Sequence, residues 1–136
     1  MAKILIDTGV FVALFDGDDK FHQKSVEFIK NNRSPLMTTL ANIAEVLYLL
    51  TDSKTQYQFL NWLHLAKIDI APLGGRELVA IGELMVRYDS VPMDFADGCL
   101  LYLANTHKIN QIATIDRDFR IYRIDGKYPF RLLIDF

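Results

Sequence analysis

The chain has 136 residues, about one domain's worth, and is 51% hydrophobic, 12% aromatic and 24% charged. That balance excludes a disordered or low-complexity protein, and a chain this long buries about two thirds of its unfolded surface without a disulfide or structural metal. Fifteen Lys and Arg against 17 Asp and Glu give a formal net charge of −2, a total that leans against a nucleic-acid partner. The single Cys99 rules out an intramolecular disulfide and a cysteine zinc cage. The apolar run that starts Val10–Phe15 is too short to cross a bilayer, and the N-terminus lacks a signal-peptide pattern. A soluble, cytoplasmic protein with no membrane partner is expected.

Lys3-Ile4-Leu5-Ile6 reads as a buried strand stopped by Asp7. The apolar stretch after Thr8-Gly9 is ambiguous between helix and strand. A polar turn at Asp16–Asp19 precedes a helix over Phe21–Asn32, and Leu36–Thr38 follows as a second strand. Leu40–Leu50 is a strongly apolar helix interrupted by Asn42 and Glu45. Asp52-Ser53 caps a further helix to about Lys67, with Phe59, Leu60, Leu63 and Ala66 as its apolar stripe. Ile68–Ala71 is a third strand, Arg76–Tyr88 a helix, and Pro92-Met93-Asp94 opens another that runs to about His107. Gln111–Ile115 is a strand ended by Asp116, while Phe119–Ile124 and Arg131–Ile134 are short and strand-like. Strands alternating with helices predict a parallel α/β sheet covered on both faces, in one domain spanning 1–136.

Most of the acids fit solvated turns, caps or exposed faces, but six need a closer look. Asp7 and Asp116 each end an apolar strand, and ligands of open parallel sheets bind outside the carboxyl ends of the strands. A turn residue would explain either one alone. Glu45 stands among apolar neighbours, and no Lys or Arg occurs from Ser34 to Ser53. A buried carboxylate without a partner is costly unless it coordinates a metal; the other reading places Glu45 at the edge of a partly exposed helix. Asp94 suits an N-cap, whereas Asp97, just before Gly98-Cys99-Leu100, sits where helix meets core. Asp118 beside Asp116 suits an Asx-turn. Asp7, Glu45, Asp97 and Asp116 thus come from four elements, and an all-oxygen set of this kind suits Mg²⁺ or Mn²⁺. His22, His64 and His107 are too far apart in sequence to suggest a shared site.

Four segments carry a family resemblance: Ile4-Leu5-Ile6-Asp7-Thr8, Asn42-Ile43-Ala44-Glu45-Val46-Leu47, Pro92-Met93-Asp94-Phe95-Ala96-Asp97 and Ala113-Thr114-Ile115-Asp116-Arg117-Asp118-Phe119. In this order and spacing the chain resembles the PIN-domain ribonucleases, in particular the toxin half of VapBC-type toxin–antitoxin pairs. The resemblance implies a three-layer α/β/α fold with a central, mainly parallel sheet. It also implies Mg²⁺- or Mn²⁺-dependent endonucleolytic cleavage of RNA, leaving 5′-phosphate and 3′-hydroxyl ends. Carried over by position, it makes Asp7, Glu45, Asp97 and Asp116 the metal and catalytic acids, with Thr8, Asp94 and Asp118 in support. It further implies a cognate antitoxin and a homodimer. Gly98 departs from the family's usual small helix-former.

Five of the 15 basic residues, Arg117, Arg120, Arg123, Lys127 and Arg131, crowd the C-terminal segment. Arg117, Arg120 and Arg123 are candidate RNA contacts, and the interleaved Tyr122, Tyr128 and Phe130 could stack on bases. A solvated edge strand is the other reading of this segment. Two further functional classes compete. A haloacid-dehalogenase-like phosphohydrolase would need an acid two residues after Asp7, where Gly9 stands. A non-catalytic RNA- or protein-binding module would not need all four acids.

Overall fold

A computed structural model describes residues 2–136. In chain order its elements are β1 (Ile4–Ile6), α1 (Thr8–Phe15), α2 (His22–Asn31), β2 (Leu36–Thr38), α3 (Leu40–Leu49), α4 (Ser53–Leu65), β3 (Asp69–Ile70), α5 (Gly75–Arg87), α6 (Phe95–His107), β4 (Gln111–Ala113), β5 (Arg123–Ile124), β6 (Tyr128–Pro129) and β7 (Arg131–Leu132). A 3₁₀ turn at Arg117–Arg120 lies between β4 and β5. Five strands form one parallel sheet in the order β3-β2-β1-β4-β7, and β5 pairs with β6 as a small antiparallel hairpin.

The alternation of side chains along β1 divides the core. Leu5 points to one face, where it joins Leu84, Leu100, Leu101, Leu103, Phe119 and Tyr122. Ile4 and Ile6 point to the other, with Val10, Phe11, Ile43, Val46, Phe59 and Leu63. All three strand residues are buried because helices cover both faces, as a parallel sheet requires. The result is the expected three-layer α/β/α arrangement.

The ambiguous stretch after Asp7 is helix α1. Its apolar residues extend all round, so Val10, Phe11 and Ala13 are buried while Val12 and Leu14 pack at the margin. The stripe expected on α4 is narrower than the sequence suggests: Phe59 and Leu63 are buried, but Leu60 is exposed. The segment expected as strand over Phe119–Ile124 is instead a 3₁₀ turn followed by a two-residue strand. Asp116 caps that turn through its side chain, so local hydrogen bonding overrides the β-like run of apolar residues. Gly98 has a packing reason: a Cβ there would lie 3.1 Å from Ile81 Cγ2 and 3.3 Å from Met85 Cγ, so α6 presses closely on α5.

β2 and β3 lie on one side of β1, whereas β4 and β7 lie on the other. The chain therefore leaves β1 in one direction and returns beside it from the other, opening a crevice at the carboxyl ends of β1 and β4. Gly9 lets that crevice stay tight, since a Cβ there would meet Ile115 Cγ1 at 3.0 Å. No helix of the described residues is long and apolar enough to cross a membrane.

Candidate metal centre

The end of β1 delivers Asp7 into the crevice as the N-cap of α1, where its Oδ1 accepts the Thr8 N–H at 2.8 Å. The Thr114 hydroxyl, just past β4, donates to its Oδ2 at 2.8 Å. The same hydroxyl accepts the Asp116 N–H at 3.0 Å, so one threonine ties the ends of the two strands together. Asp94 caps α6 by accepting the Asp97 N–H at 2.8 Å, and that cap aims Asp97 inward from the first turn. Asp116 caps the 3₁₀ turn, its Oδ1 accepting the Asp118 N–H at 2.9 Å.

These elements converge: Asp7, Asp97 and Asp116 each offer a carboxylate oxygen within 4.8 Å of the others. Asp7 and Asp97 are only 5% and 8% exposed, so water cannot screen them well. Burial pushes Asp7 up to about 7, against hydrogen bonds from Thr114 and Thr8 and with repulsion from Asp116 and Glu45. Asp97 rises to about 8 through burial and the negative charges of Asp7, Asp94 and Asp116. Asp116 is raised chiefly by burial, and Arg117 partly offsets the rise. The ion pairs Lys3–Asp69 and Lys108–Asp125 lie elsewhere; among the described residues no Lys or Arg is ion-paired to the three acids.

Two buried acids and a half-buried one, facing one another with no ion-paired Lys or Arg among the described residues, fit a hard divalent ion, which prefers oxygen ligands. The Cys99 thiol, buried in α6 and pushed up to about 11 by that burial, stands outside the cluster, as do the three histidines. Glu45 lies at the rim. It is half-buried rather than enclosed, with its Oε1 accepting the Thr8 hydroxyl at 2.7 Å. Its pKa is raised by burial and by Asp94, against the Thr8 bond. Asp94 is therefore both a helix cap and a neighbour of the site. Asp118 contributes its backbone N–H to Asp116, while its carboxylate stays out of the group of three.

The basic segment is arranged differently from the expected stacking surface. Tyr122 and Phe130 are buried in the core and cannot stack on bases; Tyr128 is exposed. Their apolar rings close the α6 face of the sheet, where Phe119 packs edge-on against both. Arg123 turns its guanidinium onto the carbonyls of Arg120, Ile121 and Tyr122, and Arg120 lies over the Phe136 ring at 4.6 Å. Arg117 is exposed beside Asp116.

Three polar residues around the acids, Thr39, Asn42 and Thr114, have no role in the sequence reading, and Tyr122 enters it only as a base-stacking ring. Tyr122 donates its hydroxyl to Asp97 Oδ2 at 3.3 Å. Asn42 carried a signal, as an amide inside an otherwise apolar helix, whereas the threonines had none before the fold joined them to Asp7 and Asn42.

The PIN domain family model matches residues 4–126. The ribonuclease VapC26 of Mycobacterium tuberculosis is 24% identical over 117 residues, covering 84% of this chain and 87% of that one. The crystal structure of M. tuberculosis VapC20, described as a sarcin-ricin loop cleaving toxin, superposes with a TM-score of 0.78 at 18% identity, covering 85% and 91% of the two chains. VapBC2 from Rickettsia felis, solved bound to a DNA fragment of its promoter, gives a TM-score of 0.61 at 16% identity over 93% and 96%. The fold is thus shared widely at low identity, and the family match spans nearly the whole sequence. The chain belongs to the PIN domain family.

Proposed function

We propose that this protein is a divalent-metal-dependent endoribonuclease, the toxin of a toxin–antitoxin pair, acting on cytoplasmic RNA. The observation that carries the reading is the convergence of Asp7, Asp97 and Asp116, the first two buried, with no ion-paired Lys or Arg among the described residues. These three would hold Mg²⁺ or Mn²⁺, with Glu45 completing the acidic set from the rim. A bound divalent ion there supplies Lewis acidity toward a phosphoryl oxygen and makes water a nucleophile near neutral pH.

The chain's own groups do the rest. Thr114, Thr8 and Asn42 hold the Asp7 carboxylate by three hydrogen bonds, and Asp94 fixes the first turn that presents Asp97. Preset ligands of this kind need no rearrangement when a phosphodiester arrives. Arg117, exposed beside Asp116, would meet a backbone phosphate, with the positive charge of Arg120 and Arg123 held near it by the chain itself. In-line attack of water with departure of the 3′-oxygen leaves a 5′-phosphate and a 3′-hydroxyl. The VapBC relatives support a protein antitoxin as partner, and a homodimer accords with the exposed Leu40, Tyr48 and Leu49 of α3.

The test is cleavage of a labelled RNA by purified wild type and Asp97→Asn, with chelator and with Mn²⁺ added back. Wild type cleaves only when metal is present, and Asp97→Asn loses about 100-fold or more, since removing even an outer partner of a ligand typically costs about 10–100-fold. Undiminished cleavage by Asp97→Asn overturns the reading.

A further inference from the structure

A row of buried polar side chains runs from the start of α3 to the acids. Thr39 caps α3, its Oγ1 accepting the Asn42 N–H at 3.2 Å. The Thr39 hydroxyl proton is directed at Asn42 Oδ1, 2.6 Å away. A hydroxyl could serve either end of the amide, but the Asp7 carboxylate on the far side accepts and would repel an amide oxygen, so it decides which end is which. Asn42 Nδ2 must face the other way, and there it lies 3.0 Å from Thr8 Oγ1 and 3.4 Å from Asp7 Oδ1.

The direction propagates. A hydroxyl has a single proton, and Thr8 Oγ1 receives one from Asn42. Its own proton is left for Glu45 Oε1 at 2.7 Å. Thr39 and Asn42 are 1% and 0% exposed, so water cannot take over the bonds between them. One amide thus serves two acids from two different elements, Asp7 directly and Glu45 through Thr8. An amide this deep in an apolar helix is costly unless every hydrogen-bonding group is used, and here each is.

We propose that Asn42 is a positioning residue of the acidic site: its amide, locked by Thr39, sets the polarity of a relay that holds Asp7 and Glu45 as hydrogen-bond acceptors, oriented to receive a divalent cation. This rests on the metal-site reading given above. Aspartate at position 42 would have the right shape but no N–H to give, and would add a charge beside Asp7. Serine would be too short to reach both Asp7 and Thr8.

The test is calorimetric titration of Mn²⁺ into wild type, Asn42→Ala, Thr8→Val and the double variant, with thermal melts of the metal-free proteins and kcat and KM for RNA cleavage. Asn42→Ala and Thr8→Val each weaken Mn²⁺ binding about 10-fold, the cost of losing an outer partner of a ligand. The double variant binds scarcely worse than the weaker single, because the two act in one chain. Cleavage falls through kcat at limiting Mn²⁺ while KM for RNA holds, and Thr39→Ser, which keeps the locking hydroxyl, retains wild-type affinity whereas Thr39→Val does not. If Asn42→Ala only lowers the melting temperature and binds Mn²⁺ as wild type does, the relay is structural and the proposal fails. If Asn42→Ala does not fold, the contrast between Thr39→Ser and Thr39→Val decides alone, equal affinities sinking the proposal. Asp97→Asn in the same series separates the two ideas: Mn²⁺ binding unaffected by Asp97→Asn removes the metal-site reading itself, whereas its loss there with none in Asn42→Ala removes only the relay.

Discussion

The acidic crevice and the basic C-terminal segment carry opposite charge and treat it in opposite ways. In the crevice, hydrogen-bond donors hold Asp7 and Asp116 in place, while among the described residues no Lys or Arg is ion-paired to them or to Asp97. In the basic segment the charge is largely spent on the chain itself: Arg123 binds three carbonyls and Arg120 lies on Phe136. The difference teaches that a count of charges says little about their use. A carboxylate held by neutral donors remains available to a cation, whereas a guanidinium seated on carbonyls is part of the scaffold.

The largest effect should come from relieving the crevice. Asp97→Asn removes one of three crowded negative charges, so it costs activity but stabilises the metal-free protein at pH 8 by about 1–2 kcal/mol, or about 3–8 °C in melting temperature. A melting temperature below wild type at pH 8 would show that Asp97 is not strained by its neighbours. The pH dependence of wild type sharpens the same point. Asp7 and Asp97 sit at about 7 and 8, above the ordinary 3.8, so the folded state binds more protons than the unfolded one over this interval. Their contribution is fully present below about pH 4 and is lost as pH rises through 7 and 8. Metal-free protein should melt lower at pH 8 than at pH 5, and saturating Mn²⁺ should shrink or reverse that difference.

Smaller effects test the basic side. Arg123→Ala should cost about 1–2 kcal/mol of stability in chemical denaturation, because three carbonyls lose a charged donor. Arg117→Ala, at an exposed position, should stay within about 0.5 kcal/mol of wild type. In an Asp97→Asn background it should still weaken RNA binding and lower the slope of log affinity against log salt by about one. The reverse assignment, with Arg117 structural and Arg123 recognising RNA, would exchange these outcomes.

Much of this was legible in the residues. Ile4-Leu5-Ile6 followed by Asp7 specifies a buried strand with an acid at its carboxyl end, and the helices that carry Glu45 and Asp97 follow from their apolar spacing. What the sequence could not show was environment. Glu45 lacks any basic residue nearby in sequence, yet it sits at a rim with water on one side and Thr8 on the other. Asp94 looked like a cap or a site residue, and the geometry makes it both. Phe119–Ile124 has the composition of a strand, but Asp116 and Asp118 bend it into a 3₁₀ turn through hydrogen bonds that span two residues. Thr114 matters to the site because β4 returns beside β1, a fact of topology that no local pattern encodes.

The bond between Thr114 and Asp7 bridges 107 positions. During synthesis Asp7 is made 107 positions before the hydroxyl that fixes it, and Asp116 follows that hydroxyl. Domains fold as units and such non-local contacts form late. A truncated chain that ends before β4 therefore holds Asp7, Glu45 and Asp97 without Asp116 or the strand that joins them. The three acids can meet only after β4 and Asp116 have been made.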